Sequence, residues 1–217
     1  MRSAASGGET AALSHYRTLR ERILAGDIDA ETRLYESALT DDLGTSRTPI
    51  REALAMLERD GILKRERRGY RVHERTEQEI LDYFDVRNAL EATSAEAAAS
   101  RATELERARM TAILREARQS ADAAVREALH GEWHRALILA SHNTALADFV
   151  ARAETLISLH RRPWERSIAG TEESQAEHER ILDAVVERDP ELARRRMAAH
   201  MARARDYQLL LLSTRRS

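Results

Sequence analysis

The stretch Leu43-Gly44-Thr45-Ser46-Arg47-Thr48-Pro49-Ile50-Arg51-Glu52-Ala53-Leu54-Ala55-Met56-Leu57 constrains the fold more than any other part of the chain. Gly44 permits the left-handed backbone that ends a short preceding helix, Ser46 can cap the next one, and Pro49 suits a first helical turn, where its missing N–H is not needed. Two helices joined by a tight turn are thus specified locally. Ile50, Leu54 and Leu57 recur at helical spacing and are expected to be buried, which turns Arg47, Thr48 and Arg51 toward the opposite, exposed side. A helix with two arginines and two hydroxyls at its amino end suits the major groove of double-stranded DNA, because Arg can bond guanine bidentately and Ser or Thr can hold phosphate.

Exposed arginine is most often a solvated face, and nearly every basic residue here is Arg, with Lys64 the one lysine. Position carries the information instead. Between Leu43 and Arg75 there are nine basic residues against five acidic ones, in a chain whose formal net charge is -2. The remainder is therefore acidic, and the local excess fits a modest footprint for phosphate. Ile62-Leu63-Lys64-Arg65 and Tyr70-Arg71-Val72-His73, joined by a polar turn with Arg68 and Gly69, read as a two-stranded wing offering a second contact.

The 217 residues suffice for two small domains: a polar tail over 1–10 expected to be disordered, a DNA-binding domain over 11–75 and a helical domain over 76–217. The chain lacks cysteine, so disulfides and thiolate metal sites are excluded, which fits a reducing cytoplasm. Met1 to Thr10 has no apolar run and reads neither as a signal peptide nor as an anchor, and no stretch approaches the ~18 apolar residues of a membrane span.

In the first domain the pattern predicts helices over about 12–25, ended near Gly26, over 36–43, and over 47–60, closed by Gly61; Glu74-Arg75 reads as a linker. From Thr76 onward the chain is glycine-poor and helical in pattern throughout. Thr76 with Glu79 and Thr103 with Glu106 are capping-box signals; the second helix is expected to run to about Arg126, followed by helices over about 128–141, 145–165, 173–188 and 191–211, with Asp189-Pro190 as cap and first-turn proline of the last. The fold class is mostly α: a small domain with a wing, then an antiparallel helical bundle.

His130 and His134 lie four apart on one predicted helix, so both imidazoles share a face and could hold one cation; such a pair by itself is more often a surface or core filler. His178 and His200 sit in apolar frames on two later helices, and three helices converging in a bundle could bring all four together. His15, His73, His142 and His160 have no such pattern and read as structural or surface residues.

The run Leu34-Tyr35-Glu36, Leu39, Leu43-Gly44, Ser46 to Leu54, Leu57-Glu58, Gly61-Ile62 and Gly69-Tyr70-Arg71-Val72 resembles the winged helix-turn-helix domain of the GntR superfamily of bacterial transcription regulators, over roughly residues 13–74. One departure is Asp29-Ala30-Glu31, where that family usually has a Pro-Gly turn. Trp133-His134-Arg135-Ala136-Leu137 with Asn143 and Leu146, then Glu177 to Val185, then Met197-Ala198-Ala199-His200-Met201, is similar to the all-helical FCD ligand-binding domain of the FadR-like subgroup. The resemblance implies a homodimeric regulator, not an enzyme, whose bundle holds a divalent metal through one carboxylate and three histidines and admits a small carboxylated metabolite to its open positions. His134, His178 and His200 match the histidines. His130 replaces the usual Asp, which leaves an all-imidazole set suited to Zn²⁺ or Ni²⁺, or a weakened site. Trp133 replaces the usual Phe. The resemblance also implies Arg87 as a partner for the effector's carboxylate; at helical spacing Arg87 is equally a salt-bridge partner of Glu91.

Two further readings stand beside this one. A helical-bundle metalloenzyme would want paired Glu-x-x-His motifs, and only Glu127 with His130 has that spacing among the bundle histidines. A metal sensor, with the cation itself as effector, is compatible with all-imidazole ligation.

Overall fold

A computed structural model of the chain describes residues 10–159 and 172–214, and divides it into two compact units, one ending at Arg75 and the other beginning at Thr76. The first unit holds α1 (Ala11–Ala25), α2 (Glu36–Asp42), α3 (Arg47–Arg59), β1 (Leu63–Arg65) and β2 (Tyr70–Val72). Of the expected tail over 1–10, residues 1–9 lie outside the described residues. Thr10 does not belong to it, because its hydroxyl accepts from the Leu13 N–H and caps α1.

Glycine ends or turns the chain where a left-handed backbone is needed. Gly44, at φ +59°, follows α2, and the next residue, Thr45, donates its N–H to the Thr40 carbonyl across the helix end. Ser46 stands at the N-cap of α3 with extended backbone, but its side chain makes no capping bond, contrary to the sequence expectation. The reason is in the sequence itself: Pro49 occupies the third helical position, whose N–H a capping hydroxyl would otherwise meet. Ile50, Ala53, Leu54 and Leu57 are fully buried on a helix that packs against α1 and the first strand of the wing, while Arg47, Thr48 and Arg51 are exposed.

β1 and β2 pair antiparallel with Leu63 opposite Val72, Lys64 opposite Arg71 and Arg65 opposite Tyr70. Leu34 adds a bridge to Tyr70, with reciprocal backbone bonds of 2.9 Å. Gly69 is required at this junction: its φ is +82°, and a Cβ there would lie 2.3 Å from the Leu34 carbonyl oxygen. At Asp29-Ala30-Glu31, Asp29 builds the turn, its Oδ1 accepting from the Thr32 N–H at 2.8 Å and the Thr32 hydroxyl at 2.6 Å. These bonds hold the Asp29 carboxyl below its usual pKa range.

The second unit is all-helical among its described residues: α4 (Glu77–Arg101), α5 (Glu104–Gln119), α6 (Ala123–Ala140), α7 (Thr144–Ser158), α8 (Glu172–Val186) and α9 (Pro190–Thr214). Both capping boxes form as the sequence implies, and Asp189 caps α9 by accepting from Leu192. The expected helix to Arg126 is corrected: the break falls at Ser120–Asp122, because the Asp122 carboxylate accepts from the Ala124 and Val125 N–H groups and starts a new helix. The expected 145–165 helix ends at Ser158, and 160–165 lie outside the described residues, as does His160.

α4 runs through the unit and packs against α6, α7, α8 and α9. Its small residues Ala95, Ala98 and Ala99 let the neighbours approach closely around Trp133, Leu137, Met110, Ile181 and Met197, and Phe84 anchors a second cluster with Ile80, Ile157 and Leu212. No described helix is long and apolar enough to cross a membrane.

Candidate functional site

The histidines come from three helices. α6 supplies His130 and His134 from its middle, α8 supplies His178 and α9 supplies His200. The His178 Nε2 lies 3.1 Å from the His134 Nε2 and 3.1 Å from the His200 Nε2. These three residues, all buried, are the described group whose ligand nitrogens fall within 4.8 Å of one another. His130 is not among them: its Nε2 bonds the Gln175 side-chain oxygen at 2.8 Å, and its ring stands edge-on to His178.

A carboxylate holds the far nitrogen of two of the three. Glu91 on α4, 0% exposed, accepts from the His134 Nδ1 at 2.5 Å, and Glu177 on α8 accepts from the His200 Nδ1 at 2.6 Å. Each carboxylate is itself clamped by an arginine. The Arg87 Nε donates to Glu91 at 2.5 Å, and its Nη2 pairs with Glu154 at 2.9 Å; the Arg203 Nε donates to Glu177 at 2.6 Å. Burial alone would push the Glu91 carboxyl up, but Arg87 and His134 outweigh it and hold it down to about 2. Burial likewise opposes ionisation of Glu177, and His200 and Arg203 hold it down to about 2. Arg87 keeps its charge despite burial because Glu91 and Glu154 face it.

With both carboxylates ionised, the Nδ1 atoms of His134 and His200 donate to them, so in the neutral rings the Nε2 lone pairs face His178. Desolvation, then the neighbouring imidazoles, push the His178 pKa well below its ordinary value. A neutral His178 can donate from Nε2 to one neighbour only, so one close nitrogen pair is left without a proton between its lone pairs. Its Nδ1 is also buried without a partner. A cation bound among the three Nε2 atoms would resolve the close pairs. Tetrahedral Zn²⁺ with Zn–N of about 2.0–2.1 Å sets ligand nitrogens roughly 3.3 Å apart, near the 3.1 Å of the two pairs that His178 makes, in a set that lies within 4.8 Å as a whole, and the Arg–Glu–His chains supply the orienting bonds that metal-ligating histidines normally have. Trp133 stacks on His178 with centroids 4.5 Å apart and an interplanar angle of 25°, fixing the ring plane.

The histidines border a cavity of about 410 Å³, whose wall also includes Arg87, Glu154, Arg203 and Tyr207. That volume is in the range of small-molecule sites. Arg87 is ion-paired to Glu91 and also lines the cavity. The sequence reading missed Glu177, Arg203 and Gln175, and took Glu91 only as a partner of Arg87. A signal for Glu91 existed, since Ile80, Phe84, Glu91, Ala95 and Ala98 follow one helical stripe, and a carboxylate on a buried stripe demands partners. His142 is exposed and pairs with Glu106.

In the first unit, Arg47, Thr48 and Arg51 start α3 on its exposed side, with Arg51 3.9 Å from Glu36, and Arg68 is exposed beside Gly69 at the wing turn.

Residues 12–72 match the family described as bacterial regulatory proteins, gntR family, and residues 82–203 match the FCD domain. The chain is 28% identical over 193 residues to an uncharacterized HTH-type transcriptional regulator, YdhC, of Bacillus subtilis, covering 87% of this chain and 86% of that protein. It is 29% identical over 205 residues to the HTH-type transcriptional repressor GlaR of Escherichia coli, covering 87% and 91%. A gluconate operon transcriptional repressor of Bacillus licheniformis is 44% identical over 73 residues, 34% of this chain and 30% of that one. Among solved structures, E. coli McbR/YncC aligns over 94% of this chain and 100% of its own with a TM-score of 0.71 at 19% identity, a likeness of fold alone.

Proposed function

The chain belongs to the GntR family of bacterial regulatory proteins and carries its FCD domain, so it is a DNA-binding transcriptional regulator and not an enzyme, and from this we propose the manner of its control. It acts in the cytoplasm as a homodimer on a short inverted-repeat operator, and a small carboxylated metabolite, bound beside a divalent transition metal in the bundle, changes that binding. The observation that carries the effector site is the convergence of three Nε2 atoms, each outer ring backed by a clamped carboxylate, beside a 410 Å³ cavity that Arg87 enters as a wall residue.

His134, His178 and His200 would hold the metal, with Zn²⁺ or Ni²⁺ favoured by an all-nitrogen set. When bound, it supplies a Lewis-acidic position for a carboxylate oxygen. Glu91 and Glu177 keep the protons on the far nitrogens of His134 and His200, so both Nε2 lone pairs face inward. Arg87 spends two donors on Glu91 and Glu154 and has five in all, so it can meet the second oxygen of an incoming carboxylate. The match to gluconate operon repressors covers the winged helix alone and does not bear on the effector.

At the other end, Arg47 and Arg51 read bases, Ser46 and Thr48 hold phosphate, and Arg68 with the Gly69 turn places the wing. One winged helix makes a small interface, and a dimer doubles it on a twofold site. The effector shifts DNA binding only by favouring one of two arrangements of the dimer.

Fluorescence anisotropy with an operator selected from random double-stranded DNA by the full-length protein tests the reading head. Arg47→Ala and Arg51→Ala are each expected to weaken specific binding by about 1–3 kcal/mol with helical content unchanged. Wild-type affinity in both at matched salt would refute it. An operator affinity that responds to Zn²⁺ alone, with no organic acid present, would make the protein a metal sensor.

A further inference from the structure

At the wing turn stands a group of charges that neither the reading helix nor the bundle uses. Arg33, just before the bridge that Leu34 makes to Tyr70, reaches across to the turn, where its Nη2 lies 3.1 Å from the Glu66 carboxylate. The same carboxylate oxygen lies 3.5 Å from the Arg71 Nε. Arg67 and Arg68 follow Glu66, both exposed, and neither has an ion-pair partner among the described residues. Arg33, Glu66, Arg67 and Arg68 together line a cleft of about 370 Å³, in which Glu66 is the one acidic residue. The backbone holds this arrangement. Reciprocal bonds of 2.9 Å join Leu34 to Tyr70, the Glu66 N–H donates to the Gly69 carbonyl at 3.1 Å, and Asp29 fixes the bend before Arg33 through Thr32. Three residues after Arg33, Glu36 lies 3.9 Å from Arg51 of α3. The segment 33–36 thus runs, in at most about 11 Å, from the wing turn to the arginine end of the reading helix.

Water screens a partly exposed ion pair, so the Arg33–Glu66 pair exchanges partners at little cost. A phosphate oxygen takes the same guanidinium donors as a carboxylate oxygen. We propose that Arg33, with Arg67, Arg68 and Arg71, seats a backbone phosphate of the DNA in this cleft, and that Glu66 competes with that phosphate for the same donors. Arg33 lies outside both the reading helix and the wing, so it is a third point of contact. Glu66 then sets the strength of sequence-independent binding: in the free protein its carboxylate holds the arginines, and on DNA it is a like charge beside the phosphate, which costs affinity on every sequence alike. This rests on the chain's binding of DNA, and not on the bases that Arg47 and Arg51 read.

Anisotropy of the full-length protein over a range of salt concentrations, on the selected operator and on a scrambled duplex of equal length, tests it. Arg33→Gln should weaken both duplexes by a similar factor, about five- to tenfold, and flatten the salt dependence by about one phosphate per subunit. Arg33→Lys keeps the charge and should keep the wild-type slope. Glu66→Gln should tighten both duplexes by about fivefold, the effect of removing one like charge about 4 Å from a phosphate in water. Unchanged affinity and slope in Arg33→Gln, or a loss on the operator alone, refutes the phosphate seat. Weaker binding in Glu66→Gln would mean that the carboxylate orders the arginines for DNA, and refutes the competition. Each variant is also melted by circular dichroism: lost stability with the wild-type salt slope in Arg33→Gln would make the pair a staple between the wing and the segment before α2, and overturns the proposal. Wild-type protein that selects no operator and binds no scrambled duplex overturns the DNA reading and this proposal with it, whereas every outcome above leaves that reading standing.

Discussion

Replacing Glu91 by Gln tests the central claim that a clamped carboxylate both holds the bundle and aims His134. The change preserves shape and leaves an amide oxygen to accept from the His134 Nδ1, but it removes the charge opposite Arg87, whose side chain is 13% exposed. Removing one partner of a buried pair costs about 3–5 kcal/mol. Glu154 still faces Arg87 at 2.9 Å from a partly exposed position, which places the loss at the lower end, about 3 kcal/mol. For a unit of this size, with roughly 2–4 °C per kcal/mol, that is a fall of about 6–12 °C in the melting temperature of the metal-free protein, read by circular dichroism in chelator. The same variant should lose about 10- to 100-fold in Zn²⁺ affinity, because His134 is aimed less firmly. An unchanged melting temperature would refute the energetic reasoning. Lost stability with wild-type Zn²⁺ affinity would leave Glu91 structural and refute its orienting role.

Tyr16 donates to Asp60 at 2.7 Å, and burial with that acceptor raises its pKa to about 12. A raised folded pKa gives stability that is complete below the unfolded value near 10 and is lost as pH rises through 12. Tyr16→Phe should therefore cost about 1 kcal/mol at neutral pH and show a shallower alkaline decline than wild type; parallel pH profiles would contradict this. Gly69→Ala places a Cβ against the Leu34 carbonyl at positive φ, and should destabilise the first unit by more than about 1 kcal/mol and weaken operator binding, checked by denaturant melts and anisotropy. A variant lacking residues 1–74 is expected to remain dimeric at micromolar concentration in sedimentation, and a monomer would place the subunit contact elsewhere.

Much of this protein is written in its local punctuation. Gly44, Gly61 and Gly69 adopt the left-handed backbone their positions imply, the Thr76 and Thr103 capping boxes close, and Asp189-Pro190 starts the last helix. Such signals act over three or four residues, so no tertiary knowledge is needed to read them. The faces were legible too, since period 3.6 places Ile50, Leu54 and Leu57 inward and Arg47 and Arg51 outward. The α5–α6 break at Asp122 was equally local, a capping carboxylate passed over in a run of helix-forming residues. What a face does not fix is the rotation of a ring or the choice of its partner. His134 meets Glu91 across 43 residues of sequence and His130 meets Gln175 across 45, so which imidazoles turn toward one another depends on how α4, α6, α8 and α9 pack. Burial then makes that choice binding: inside the bundle each polar atom needs a partner of the right sense, and this turns His134, His178 and His200 toward one another and His130 toward Gln175.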